Sequence, residues 1–165
     1  MIRKKICMLG AFAVGKTSLV ERFVKSIFNA RYQTSLGVKI DKKSLVVRDQ
    51  EVELILWDLA GEDEFMKVRL SYLRGAAGFL LVVDGTRPGT LDTALALREK
   101  AVAEVGEVPF AFLINKADLG EEWRMDARDM ERLSGQGWAV FETSAKNGRG
   151  VEEAFVALTT EMLEA

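Results

Sequence analysis

The sequence predicts an α/β domain built on a mostly parallel sheet, and three observations predict it. Continuously apolar runs at residues 79–83 and 110–114 read as central strands covered on both faces. Segments with helical spacing, at 16–25, 91–105 and 151–163, alternate with such runs. Residues 10–17 read Gly-Ala-Phe-Ala-Val-Gly-Lys-Thr, a full G-x-x-x-x-G-K-[ST] string between an apolar strand and a helix.

The elements follow in order. A first strand over 2–9 ends where the glycine string begins, and the helix at 16–25 carries Leu19, Val20 and Phe23 at helical spacing. Strands at 39–47 and 51–57, joined by Arg48-Asp49-Gln50, make an antiparallel hairpin. Strands 79–83 and 110–114 flank the helix at 91–105, which stops near Gly106. A last strand covers 138–141, and an amphipathic helix over 151–163 sets Val151, Phe155, Leu158 and Met162 on one face. No repeat, low-complexity tract or linker interrupts this series, so residues 1–165 read as one domain.

Composition narrows the function classes. With 165 residues, 48% of them hydrophobic, one sizeable core is expected. A net charge of −2 gives no long-range attraction to nucleic acid or anionic membrane. The basic runs Arg3-Lys4-Lys5 and Lys42-Lys43 read as solvated strand ends. A single cysteine, Cys7, excludes an internal disulfide, and the absence of histidine excludes His metal ligands and His general bases. No apolar stretch approaches the roughly 18 residues of a membrane span. Neither a secretory signal, a Met-Gly start nor a terminal Cys-a-a-X box is visible. The chain is therefore expected to be soluble and cytoplasmic, without a nucleic-acid partner or a direct membrane anchor.

The glycine string dictates its ligand class. A helix start leaves backbone N–H groups unpaired, and its dipole favours negative charge. Gly10 and Gly15 let the loop curl so that successive N–H groups point at phosphate oxygens. Lys16 adds a point charge and the Thr17 hydroxyl can ligate Mg²⁺. The candidate polyphosphate contacts are thus Ala13, Val14, Gly15, Lys16, Thr17 and Ser18.

Four more signals fall in loops. In Asp58-Leu59-Ala60-Gly61 the aspartate can hold Mg²⁺, generally through water, and the glycine N–H can approach a terminal phosphate. Alone, the same string suits a common turn. In Asn115-Lys116-Ala117-Asp118 the aspartate can accept from the N1 and N2 donors of guanine, a choice of base that adenine fails. The Lys116 stem can cover the base, Asn115 can tie loops together, and the isolated string also suits a cap or turn. Thr143-Ser144-Ala145-Lys146 offers small residues beside a guanine O6 and a lysine to pack over the ring. The segment 28–38 offers Phe28, Tyr32, Thr34 and Ser35 as candidate contacts.

Taken in order, these strings resemble the Ras-like small GTPase family across essentially the whole chain, and Trp57-Asp58-Leu59-Ala60-Gly61 with Leu36-Gly37-Val38 is most similar to its Rab branch. The resemblance implies a P-loop NTPase fold of six mostly parallel strands flanked by five helices. It implies GTP and GDP as ligands, Mg²⁺ held through Thr17, Ser35 and Asp58, and an aromatic, Phe28, beside the base. Thr34 replaces Ser35 if the register slips by one. Two switches, near 32–37 and 61–74, would meet effectors, an exchange factor and an activating protein, with strand 39–47 as contact surface.

Three departures bear on catalysis, for which Lys16, Gly61 and Glu62 are the candidates. Glu62 stands where relatives usually carry glutamine; a carboxylate only accepts hydrogen bonds, and its charge repels phosphate. Phe12 stands where relatives carry a small residue, and Ser35 replaces the usual threonine. The expectation is a Mg²⁺-dependent GTP/GDP switch with slow intrinsic hydrolysis. The rivals are an ATP-using kinase or ATPase, which Asp118 argues against, a non-cycling nucleotide holder, and the nucleotide domain of a larger scaffold.

Overall fold

The computed structural model describes residues 1–25, 38–59, 61–62 and 67–165. Six strands form one sheet: β1 (Ile2–Gly10), β2 (Val38–Val47), β3 (Gln50–Leu59), β4 (Gly78–Asp84), β5 (Phe110–Asn115) and β6 (Val140–Glu142). Their order across the sheet is β2-β3-β1-β4-β5-β6. Only β2 runs antiparallel to its neighbour; β1 pairs in parallel with both β3 and β4.

The consecutive apolar residues of the central strands explain how one sheet feeds two cores. Side chains alternate along a strand, so each run of buried residues is shared between the faces. On β1, Ile6 and Met8 join one cluster while Cys7 and Leu9 join the other. On β5, Ala111 and Leu113 separate from Phe112 and Ile114 in the same way. The first face is closed by helices α1 (Lys16–Lys25) and α4 (Val151–Glu164), where Phe23 and Phe155 stack with ring centroids 4.0 Å apart. The second is closed by α2 (Gly89–Val105) and α3 (Ala127–Ser134), through Leu91, Ala94, Leu97 and Leu133. Among the described residues no helix is long and apolar enough to cross a membrane.

The differences from the sequence reading have physical causes. Among the described residues there are four α-helices, not five; the link from β3 to β4 carries a short 3-10 turn at Leu70–Leu73. Lys5 on β1 donates to the carbonyls of Tyr72 and Arg74, both at 2.7 Å, so the carbonyls ending that turn are satisfied from the sheet. Helix α3 went unanticipated, yet it starts in a capping box: Asp126 accepts from the Asp129 N–H at 2.8 Å and Asp129 from the Asp126 N–H at 3.1 Å. The last strand begins at Val140, because Trp138 packs against Phe110 and Phe112.

The hairpin is tighter than expected. Val47 pairs with Gln50, leaving Arg48 and Asp49 as a two-residue turn with φ of 50° and 64°. Such a turn suits the sheet twist but places both residues in the left-handed region, which glycine enters without strain. Asp49→Gly is therefore expected to stabilise the fold by about 1 kcal/mol, the lower end of the left-handed penalty. Urea titration should show a higher midpoint with an unchanged slope.

Candidate functional site

The C-terminal ends of β1, β3, β4, β5 and β6 lie along one edge of the sheet, and the chain leaves β1 to neighbours on both sides. Loops at such an edge form a ligand crevice. Here they bring together four of the five strings read from the sequence.

The loop after β1 is shaped by its neighbours. Ala13 has φ 68° and Gly15 φ 102° before α1 begins at Lys16. A Cβ at Gly15 would collide with Asn115 Nδ2, so this position requires glycine for both its dihedral and its surroundings. Lys16 is buried, with Nζ 3.5 Å from the carbonyl of Ala11. Burial pushes its pKa down to about 8, and the nearby Asp58 carboxylate opposes the shift only in part. An ammonium in this situation gains much from an added anion. The Thr17 hydroxyl donates to Asp58 Oδ2 at 2.5 Å, and Asp58 is fully buried. A hydroxyl and a carboxylate side by side are hard oxygen donors, a set that fits Mg²⁺.

The strings at 115–118 and 143–146 converge on the same loop. Asn115, at the end of β5, donates from Nδ2 to Val14 O at 3.0 Å and accepts from the Thr143 hydroxyl at 3.1 Å. Lys116, at φ 73°, reaches Ala13 O at 3.1 Å and Asp84 Oδ2 at 2.7 Å. Asp118 is exposed, and its Oδ1 accepts from the buried Ser144 hydroxyl at 2.8 Å. Ala145 is buried and Lys146 exposed; Arg22 of α1 donates to both of their carbonyls, to Ala145 O at 2.7 Å. Ser18 is half-buried in the first turn of α1.

Gly61 and Glu62 press against the phosphate loop. Glu62 donates its N–H to Gly10 O at 3.1 Å and accepts from the Phe12 N–H at 3.0 Å. A Cβ on Gly61 would lie 2.5 Å from Phe12 Cα, so only glycine allows this approach. The Glu62 carboxylate is buried and turns toward α2: Oε1 accepts from the Val68 N–H at 3.3 Å and lies 3.9 Å from Lys100 Nζ. From the sequence this carboxylate is expected to repel phosphate oxygens; here it is engaged by Val68 and Lys100. Phe28, Tyr32, Thr34 and Ser35 lie outside the described residues.

Sequence reasoning passed over Asp84 and Arg87. Asp84 ends β4, is 1% exposed, and accepts from Lys116, from both N–H and hydroxyl of Thr86, and from Arg87 Nε at 2.9 Å. Burial raises its carboxyl pKa, but the hydrogen bonds from Lys116, Thr86 and Arg87 outweigh burial and hold it below the ordinary range. Arg87 also donates to Phe12 O at 2.8 Å, clamping the phosphate loop from outside. The available signal was an aspartate ending an apolar strand, in a position matching Asn115 one strand over.

Two outcomes follow. Phosphate binding should return Lys16 to its charged form, so GDP binding should take up a fraction of a proton, more at pH 8.5 than at pH 7. Calorimetry in buffers of differing ionisation enthalpy reads this directly, and proton release would contradict it. Arg87→Met should speed GDP dissociation about fivefold, the ~1 kcal/mol expected of a half-exposed hydrogen bond, with little change in the unfolding midpoint.

Comparison with known proteins bears on this geometry. A family model described as Ras family matches residues 5–164. The chain is 33% identical to the Ras-related protein Rab-32B of Dictyostelium discoideum, over 97% of this chain and 64% of that protein. It is 32% identical to the Ras-related protein Rab7 of Drosophila melanogaster, over 97% of this chain and 80% of the relative. It is 31% identical to the Ras-related protein Rab-13 of Rattus norvegicus, over 96% and 79%. With its glycine loop, its Asn115-to-Asp118 string and its sheet order all in place, the chain belongs to the Ras family and is a small GTP-binding protein of the Rab branch.

Proposed function

We propose that the protein works as a cytoplasmic GTP/GDP switch whose Mg²⁺-dependent intrinsic hydrolysis is slow. The observation that carries this reading is the fusion of the base loop to the phosphate loop, through Asn115 on Val14 O and Lys116 on Ala13 O. Ala13 to Ser18 hold the phosphates, with Lys16 supplying charge. Asp118 takes the two guanine donors, Lys116 and Lys146 flank the ring, and Ser144 and Ala145 present backbone to O6. Thr17, Ser35 and Asp58 hold Mg²⁺, which when bound neutralises charge on the outer phosphates. Gly61 offers its N–H to the terminal phosphate, and loss of that phosphate releases the segment. Effectors meet the edge strand β2, whose Ile40 and Val46 are exposed, together with the switch segments; an exchange factor and an activating protein act there too.

Slow hydrolysis follows from two side chains. Glu62 accepts hydrogen bonds only and is engaged toward α2, leaving no amide to orient water at that position. Phe12, on the crown of the phosphate loop and 41% exposed, stands in the way of an arginine supplied by an activator. The engagement of Glu62 also favours a second reading, a nucleotide holder that binds partners without cycling.

Denaturing freshly purified protein should release GDP or GTP, and GDP should compete for the site where ADP does not. Asp118→Ala should weaken GDP about a hundredfold, ~3 kcal/mol for a lost pair of hydrogen bonds to a carboxylate. Single-turnover hydrolysis should be slow, and Glu62→Gln should accelerate it about tenfold. Equal competition by ADP overturns the guanine reading; rapid unaided hydrolysis overturns the slow one, and no hydrolysis by either form selects the holder.

A further inference from the structure

We infer that Lys100 is the counter-ion that keeps the Glu62 carboxylate away from the terminal phosphate, and so sets how strongly this protein favours GTP over GDP. The inference rests on guanine-nucleotide binding as proposed above. It concerns a residue on α2, outside every string that the sequence offered as a site.

The backbone of Glu62 has little freedom. Its N–H and carbonyl are both committed to the phosphate loop, at Gly10 O and the Phe12 N–H, and it bridges Ala11 in parallel. The close approach of Gly61 to Phe12 holds the peptide there. What remains to be decided is the direction of the side chain. A buried carboxylate must find a donor or a cation. Lys100 of α2 is one; the competing attraction is the positive field at the start of α1 with Lys16, which follows the loop that the Glu62 backbone already bonds. The carboxylate takes Lys100, with the Val68 N–H as the one neutral donor to it among the described residues.

Remove the Lys100 charge, and the balance moves. The carboxylate keeps a single neutral hydrogen bond at 3.3 Å. The phosphate loop then becomes its better partner. A carboxylate drawn there meets the γ-phosphate of GTP, while the γ-phosphate of GDP does not exist. The penalty falls on the triphosphate alone. Lys100 thus acts through Glu62 as a positioning residue. Its side chain is 47% exposed and the pair stands at 3.9 Å, so the effect is that of a solvated ion pair, about fivefold in affinity.

The test compares affinities for GDP and for a non-hydrolysable GTP analogue in Lys100→Met, Lys100→Arg, Glu62→Gln and the double variant Glu62→Gln with Lys100→Met. Lys100→Met should lower the analogue-to-GDP affinity ratio about fivefold while GDP affinity stays within about twofold; Lys100→Arg should keep the parental ratio. In the Glu62→Gln background, adding Lys100→Met should leave the ratio unchanged. The inference is overturned by an unchanged ratio in Lys100→Met, by equal losses for both nucleotides, or by the same drop in the Glu62→Gln background. A parental protein that binds no GDP would instead mark failure of the guanine-nucleotide reading itself.

Discussion

Three loops from separate strands meet on one amide. Asn115 is 2% exposed, donates to Val14 O and accepts from the Thr143 hydroxyl. A planar amide gives and receives at once, which neither a carboxylate nor an aliphatic chain of that size can do. Any such replacement strands a buried carbonyl or hydroxyl, at about 1–3 kcal/mol each. Gly15 is bound to the same constraint, since a Cβ there would occupy the place of the amide nitrogen. The glycine of the first string and the asparagine of the fourth are one requirement, visible at two places 100 residues apart.

Around that knot the charges are arranged asymmetrically. Lys116 is spent on Asp84 and Ala13, and Arg87 on Asp84 and Phe12. Both cations are consumed in holding the loop's shape. Lys16 is the contrary case: its burial depresses its basicity, and the loop carbonyl beside it at 3.5 Å is a weak acceptor. Among the described residues Lys16 is thus held with one long hydrogen bond, while the cations around it are neutralised within the loops they shape.

How much of this was legible can be argued residue by residue. The strands at 79–83 and 110–114 were legible because a doubly covered strand must be apolar on both sides, and Lys16–Lys25 because its start is written by the string before it. Helix α3 was not, since it buries Leu133 fully and only leans Met130 on the core, too little to form a stripe. The meeting of four loop strings was legible because each falls at the C-terminal end of a strand of one sheet, those four strands running parallel. Asp84 was not: followed by Gly85 and Thr86 it reads as an ordinary turn, and its meaning depends on β4 lying next to β5. The direction of Glu62 was beyond reach, because Lys100 is 38 residues away and meets it only once α2 is laid on the sheet.

The two ion pairs at this edge differ in a way that suits their places. Lys116 and Asp84 meet at 2.7 Å with the carboxylate 1% exposed, a charge-assisted hydrogen bond of the ~1.5–3 kcal/mol class. Lys100 and Glu62 stand at 3.9 Å with the ammonium half in solvent, a pair of the ~0–1 kcal/mol class. The first ties the loop at Lys116, which the proposed function sets at the base, the part common to GTP and GDP. The second holds Glu62 beside the glycine loop, where the proposed function sets the one phosphate by which GTP and GDP differ. Being weak, it biases the direction of the Glu62 carboxylate by no more than the ~1 kcal/mol that the inferred GTP preference asks of it.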